Sequence, residues 1–273
     1  MIPALRAELR KITTTRAWWI NASVMFAYMV LMAAIMAASF AVSRRAADDA
    51  GVAPGSDTFV LDPQSTASSV YTLAVALGYI FPAVLGALVV TTEFRHRTIT
   101  PTLLAEPRRT RVLTAKLLAV LPFALVVAVA GVLGTVLGGA ATLAALGEPT
   151  FLADPQIQRT IVLSVVALVV WSLVGVGFGS VLTNQVAAIV VLLVFTQFVE
   201  PLLRILLAQF DATEMISKFL PGAAGEAIAG SSLYVSSGLA ELLAPWQGVL
   251  VLLTYAVVFT AIGRATTFRR DIG

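Results

Sequence analysis

Long apolar runs separated by short polar stretches dominate the chain. Runs at about 17–42, 70–92, 112–137, 160–182, 186–207 and 246–263 approach or exceed the length that crosses a bilayer. About 20 helical residues rising roughly 1.5 Å each cover a hydrocarbon layer of roughly 30 Å. The pattern therefore predicts six transmembrane helices. Before the first run the pattern changes: Ile2, Leu5, Leu9 and Ile12 share one helical face, while Arg6, Arg10, Lys11 and Arg16 fall elsewhere. That spacing predicts an amphipathic helix over residues 1–16, lying in the headgroup plane. Trp18-Trp19 at the start of the first run suits an interfacial aromatic belt. A basic leader with Ala37-Ala38-Ser39 downstream also resembles a signal peptide, but the run is too long for its apolar core.

The polar stretches differ in character. Ser43 to Ser69 is rich in Asp, Ser, Gly and Pro and predicts an irregular loop without a domain of its own. In the segment 208–245, Phe219-Leu220-Pro221-Gly222 breaks one short apolar stretch and Ala223 to Ile228 begins another. Both are too short to span, so they predict either two short helices dipping back into the leaflet or a pair lying on its surface. Inside the runs, Pro82 and Pro122 are tolerated as kinks where neighbouring helices satisfy the freed carbonyls. Gly134/Gly138 and Gly175/Gly179 have the spacing that lets helices approach closely, read here as ordinary bundle packing.

Composition agrees: 59% of the 273 residues are hydrophobic and 12% charged, more apolar content than one soluble core can bury. The reading is an all-α membrane protein with a single transmembrane domain over 1–273. An even number of spans puts both termini on one side, together with Arg6, Arg10, Lys11, Arg16, Arg95, Arg97, Arg108, Arg109, Arg111, Lys116, Arg264, Arg269 and Arg270. The other side keeps only Arg44, Arg45, Arg159, Arg204 and Lys218, so the positive-inside rule makes both termini cytoplasmic. The net charge of +3 is explained by this orientation and calls for no nucleic acid. Cysteine is absent, which excludes disulfides and thiolate metal sites, and a single histidine leaves little scope for an imidazole metal cluster; no residue is assigned to a metal.

The stretch from Glu93 to Arg111, between the second and third runs, is the place built to touch a soluble partner. Thr100-Pro101 suits a helix start, with a short helix through Leu104 that stops before Pro107. Phe94, Ile99, Leu103 and Leu104 are of a kind that fills an apolar groove. Arg95, Arg97, Arg108 and Arg109 would meet acidic groups on its rim. The plainer reading is that these charges hold the loop inside and meet anionic headgroups. His96 is assigned no chemistry. No GxxxxGK[ST], GxSxG or HExxH motif occurs, so the chain has no nucleotide, acyl-transfer or zinc motif of its own. Glu200 and Arg204, four residues apart near the outer end of the fifth run, read as an interfacial ion pair.

These residues resemble the type-2 ABC exporter permease family, in its six-span bacterial form. The resemblance rests on Glu93-Phe94-Arg95-His96-Arg97-Thr98, Leu103-Leu104, Pro107 and Arg108-Arg109, with Lys116 opening the third span. Looser agreement lies in Leu9-Arg10-Lys11, Thr13 to Trp18, Gly179 to Ala188, Phe219-Leu220-Pro221 and Phe268 to Asp271. Thr100-Pro101 departs from the pattern. The resemblance implies a permease subunit in the bacterial cytoplasmic membrane, pairing with a second copy or a homologous subunit. It also implies two cytoplasmic ATPase subunits that bind ATP and Mg, while this chain binds no cofactor. The loop at 93–111 would then be a coupling helix seated in the ATPase, driving export of a hydrophobic or amphipathic compound such as an antibiotic, a peptide or a lipid. Trp171, Phe178, Phe195 and Gln197 are candidates for the substrate path, although such residues also pack ordinary bundles. Glu226 either gates an exit or faces water. A rival class is a membrane sensor or assembly subunit that docks a regulator through the basic loop. A third, a membrane enzyme, lacks a catalytic constellation.

Overall fold

The computed structural model describes residues 1–51, 61–207, 215–232, 235 and 241–269. The described residues are helical and contain no strand. Helix α1 (Ile2–Thr14) leads into α2 (Ala17–Asp49). Then come α3 (Pro63–Tyr71), α4 (Leu73–Ala76), α5 (Ile80–Arg95), the short α6 (Ile99–Ala105) and the long α7 (Arg109–Ala145). Helix α8 (Pro155–Val181) is followed by α9 (Gln185–Val194), which continues through a π-turn (Phe195–Val199) into α10 (Glu200–Leu207). Helices α11 (Pro221–Ala229) and α12 (Pro245–Thr266) complete the chain.

Among the described residues, five helices are long and apolar enough to cross a membrane: α2, α7, α8, the continuous stretch Gln185–Leu207, and α12. Their outward faces carry Val126, Leu133, Val162, Leu202 and Val257 in the open, a surface suited to lipid rather than water. The chain is an all-α membrane protein. The run at 70–92 is not one continuous helix. It is broken at Thr72 and again over Leu77–Tyr79, and α5 begins with Pro82 in its first turn. A proline ring there would clash with the carbonyl of Gly78 if α4 simply continued, so the break falls just upstream. Pro122, by contrast, is accommodated inside α7.

The expected loop at 43–69 is largely helical where it is described. Helix α2 runs on to Asp49, and Asp62 caps α3 by accepting from the Gln64 and Ser65 amides at 3.0 and 3.1 Å, with Pro63 as first helical residue. The Asp62 carboxyl lies below its ordinary value, mainly through a hydrogen bond from the Ser65 side chain, with the two amide bonds adding to it against the effect of burial. Polar composition hid a capped helix. Residues 52–60, 208–214 and 270–273 lie outside the described residues, so the first of the two short helices expected in 208–245 is not assigned, nor are Arg270 and Asp271. The second is α11, and every one of its residues is buried.

The bundle is held by close backbone approach. Gly86, Gly175 and Gly179 let α5 and α8 meet with no room for a side chain between them, and Gly134 and Gly138 do the same for α7 against Phe26 and Val30 of α2. Both small-residue pairs are spent within this chain. At its far end α7 closes with Gly147 in the left-handed region (φ 73°), and the Glu148 amide donates to the Leu143 carbonyl at 2.9 Å. Arg44 at the end of α2 pairs with Glu148 in that same loop.

Candidate functional site

The two ends of the bundle each hold a buried ion cluster. The first is built where α1, α5 and α7 meet. Lys116, about two turns into α7, has no exposed surface, and its ammonium sits 2.8 Å from Glu8 of α1 and 2.8 Å from Glu93 of α5. It also donates to the Val89 carbonyl at 3.1 Å. Lys11 closes the set, 2.6 Å from Glu8 and 2.5 Å from Glu93. Two lysines thus balance two glutamates, which is what allows four charges to share a poorly hydrated place. Burial works against the Lys11 charge, but hydrogen bonds to Glu8 and Glu93 outweigh it and raise its pKa above the ordinary value.

Lys11 also donates to Thr102 Oγ1 at 3.1 Å. Thr102 belongs to α6, so the elbow is fastened to the same cluster. The elbow's entry is a tight turn at Arg97, whose φ of 56° is unusual for a side chain with a Cβ. The Thr98 amide donates to Glu93 O at 2.9 Å and the Arg97 amide to Phe94 O at 3.2 Å, the paired bonds of a left-handed helix stop. Helix α6 then starts at Ile99 with Thr98 as its cap residue, not at Thr100-Pro101, and its last helical residue is Ala105.

The structure sorts the elbow residues expected to face a partner. Glu93 is buried in the ion cluster, and Ile99 is buried in the core. Phe94 packs edge-on against Phe268 at 5.8 Å, and Leu103 leans on the core. Each of these faces inward. Leu104 is 78% exposed and is the apolar side chain that α6 presents outward. Arg95 donates to Gln185 at 3.2 Å, Arg97 and Thr98 are exposed, and Pro107 is exposed between α6 and α7. Arg108 and Arg109 begin α7 and line a different groove, together with Arg111, Arg264 and Arg269. Beside the ion cluster opens a second groove of about 600 Å³, with Leu85, Leu88 and Val89 as apolar lining and Glu93, Arg95 and His96 among its polar residues.

The second ion cluster lies at the opposite end. Helix α9 starts beside Arg95 and runs away from the elbow, and Arg204 in its continuation α10 contacts Glu200 at 2.9 Å and Glu226 of α11 at 2.8 Å. The i, i+4 pair is therefore real, but it is enclosed and shared with a third charge. Glu226 does not face water: it is 4% exposed, and Ser232 donates to it at 2.5 Å. Glu200 also accepts from the Gly222 and Ala223 amides at 2.5 and 3.2 Å, so it caps α11 from another helix. A Cβ at Gly222 would meet the Arg204 guanidinium and the Glu200 carboxylate, so the paired ends of those side chains would have to shift.

Of the substrate-path candidates, Trp171 meets Tyr79, just before α5, directly, and the π-turn that carries Phe195 and Gln197 meets it through Thr196. Trp171 stacks on Tyr79 at 4.5 Å, and its buried indole N–H has no hydrogen-bond partner among the described residues. The Tyr79 hydroxyl donates to the Thr196 carbonyl at 2.7 Å, inside the π-turn that Phe195 opens. Gln197, on that turn, reaches the Leu77 carbonyl at 3.5 Å. Glu226 approaches from α11, whose Gly225 lies against the Trp171 ring. Phe178 is elsewhere, packed edge-on with Phe259 at 5.6 Å. A broken helix, a π-turn and a buried short helix thus meet around one tyrosine, a combination typical of functional centres in membrane bundles. Sequence reading missed Glu8, Lys11 and Lys116 as an ionic group. The only available signal was three charges close to or inside otherwise apolar periodicity.

Among the described residues, no group of three or more His, Cys, Asp or Glu is placed to hold a metal ion. No protein-family model matches this chain, and no curated protein matches it.

Proposed function

We propose that this chain is the permease subunit of an ATP-driven exporter, moving a hydrophobic or amphipathic compound outward. In this reading the run at 63–95 is a sixth, interrupted crossing, because α3 lies beside the Phe151 to Asp154 end and α5 finishes at the elbow end. Both termini and the elbow are then cytoplasmic, in a bacterial inner membrane. A second permease copy or homologue and two ATPase subunits carrying ATP and Mg complete the machine.

The observation that carries the proposal is the fastening of α6. An exposed elbow is joined through Thr102 and Lys11 to Glu8, Glu93 and Lys116, hence to α1, α5 and α7 together. A push on α6 from outside the membrane moves three helices as a unit, because breaking the ionic joint would strand buried charge. The mostly apolar groove with charged residues beside the joint suits an amphipathic cargo approaching from the elbow side.

The test is affinity purification of the chain from its membrane, where an ABC ATPase should be recovered with it, followed by reconstitution of the two together; recovery of no ATPase would reject the proposal. Leu104→Asp alters an exposed side chain, so the protein should still fold and insert. It should weaken ATPase docking by about 1 to 3 kcal/mol, the range of an interfacial anchor, and abolish cargo-stimulated turnover. Unaltered ATPase binding and transport by the variant would reject the proposal.

A further inference from the structure

The strongest unassigned feature is the basic groove on the other side of the elbow. Arg108, Arg109 and Arg111 at the start of α7 face Arg264 in the last turn of α12 and Arg269 just beyond it across an open space of about 590 Å³. The carboxylate engaged there is Glu106, which reaches Arg111 at 3.5 Å. Arg108, Arg109, Arg264 and Arg269 have no ion-pair partner among the described residues. Crowded guanidinium groups of one sign are unfavourable unless an anion joins them.

We propose that this groove seats the phosphate headgroup of an anionic phospholipid. Guanidinium forks bind phosphate oxygens in pairs, and the Arg109 and Thr110 amides, left over where Arg111 and Val112 already bond the Arg108 carbonyl, add the positive end of a helix of 37 residues. Ala261 and Ala265 line the α12 side, so small side chains leave room for the headgroup. A lipid, rather than a soluble phosphate, is the occupant because two membrane-crossing helices end at this level. Val257 lies one turn from Ala261 on the same face of α12, and Leu118 two turns from Arg111 on α7; both are exposed and give acyl chains an apolar track leading away from the arginines. The proposal does not depend on the exporter reading.

Native mass spectrometry of the full chain in detergent tests it, with dioleoylphosphatidylglycerol, dioleoylphosphatidylcholine and inorganic phosphate as probes. The anionic lipid should be retained over the zwitterionic one. The Arg109→Gln/Arg264→Gln double variant should lose about tenfold or more of that retention, given roughly 1 kcal/mol per basic residue at a charged surface. Arg95→Gln/Arg97→Gln, outside the groove, should keep it, and Arg109→Lys/Arg264→Lys should keep most of it. On the wild-type chain, the anionic lipid should shield Arg109 and Arg264 from phenylglyoxal while leaving Arg97 reactive. Equal retention of both lipids, retention unaffected in the Gln variant, occupancy by inorganic phosphate alone, or absence of shielding would each overturn the proposal. So would a Gln variant that keeps its lipid but loses an ATPase subunit, which would assign the groove to a protein.

Discussion

The two buried ion clusters do opposite kinds of work with similar parts. At the elbow end, Glu8, Lys11, Glu93 and Lys116 come from three helices, carry balanced charge, and remain open at one corner, where Lys11 keeps 39% of its side chain exposed. At the far end, Glu200, Arg204 and Glu226 are enclosed together, and Glu200 spends part of its charge capping α11. The first joins α1, α5 and the long α7 to the exposed α6. The second pins the N-terminus of one short helix that is buried along its whole length. A four-membered joint with one solvated member can rearrange while staying neutralised. Among the described residues, Arg204 is the cation shared by the Glu200 and Glu226 carboxylates.

The largest effect should therefore come from Arg204→Leu, which leaves two buried carboxylates facing each other. A loss of about 3 to 5 kcal/mol is expected, read as a lowered thermal midpoint in detergent. Lys116→Met should cost less, about 2 to 3 kcal/mol, because Lys11 still pairs with both Glu8 and Glu93 and its exposed side lets water reach the charge left over. An equal or larger loss than for Arg204→Leu would break the contrast between the clusters. Gly147→Ala serves as a reference: it touches neither cluster and forces a Cβ into the left-handed region, for about 1 kcal/mol. Under the exporter reading it should lower stability without altering ATPase coupling, whereas Lys116→Met should alter both.

The smallest effect concerns pH. Lys11 has a folded pKa raised above its ordinary 10.5, so its contribution is fully present below 10.5 and is lost as pH rises through the higher folded value. Solvent screening at this part-exposed site limits the contribution to about 0.5 kcal/mol. Comparing the alkaline limb of the stability curve for the wild type and Lys11→Met measures it. Identical limbs above pH 10.5 would remove Lys11 from the joint.

Legibility followed the range of the interactions. The long apolar helices were readable because hydropathy over 20 residues is a local property, and the elbow was readable because Pro101 and Pro107 bracket a short apolar stretch. The turn at Arg97 was not, since nothing marks an arginine as the residue that takes the left-handed conformation glycine usually supplies. Helix α3 was hidden by its serines and threonines, although Asp62-Pro63 is a good start signal in retrospect. Burial of Glu226 depends on an arginine 22 residues earlier, and the elbow joint on pairs 82 and 108 residues apart. No window along the chain contains such information.

By itself, then, the order of residues determined that this is a helical membrane chain, where most of its long helices run, and that an arginine-rich elbow separates two of them. Those properties follow from transfer free energies and backbone geometry, which act residue by residue. Tertiary structure alone decided which charges would be enclosed together, which elbow side chains would turn inward, and that one apolar run would break around Gly78 and Pro82. Those outcomes depend on what another helix places a few ångströms away, because a buried charge or an unfilled space is costly only in relation to its neighbours.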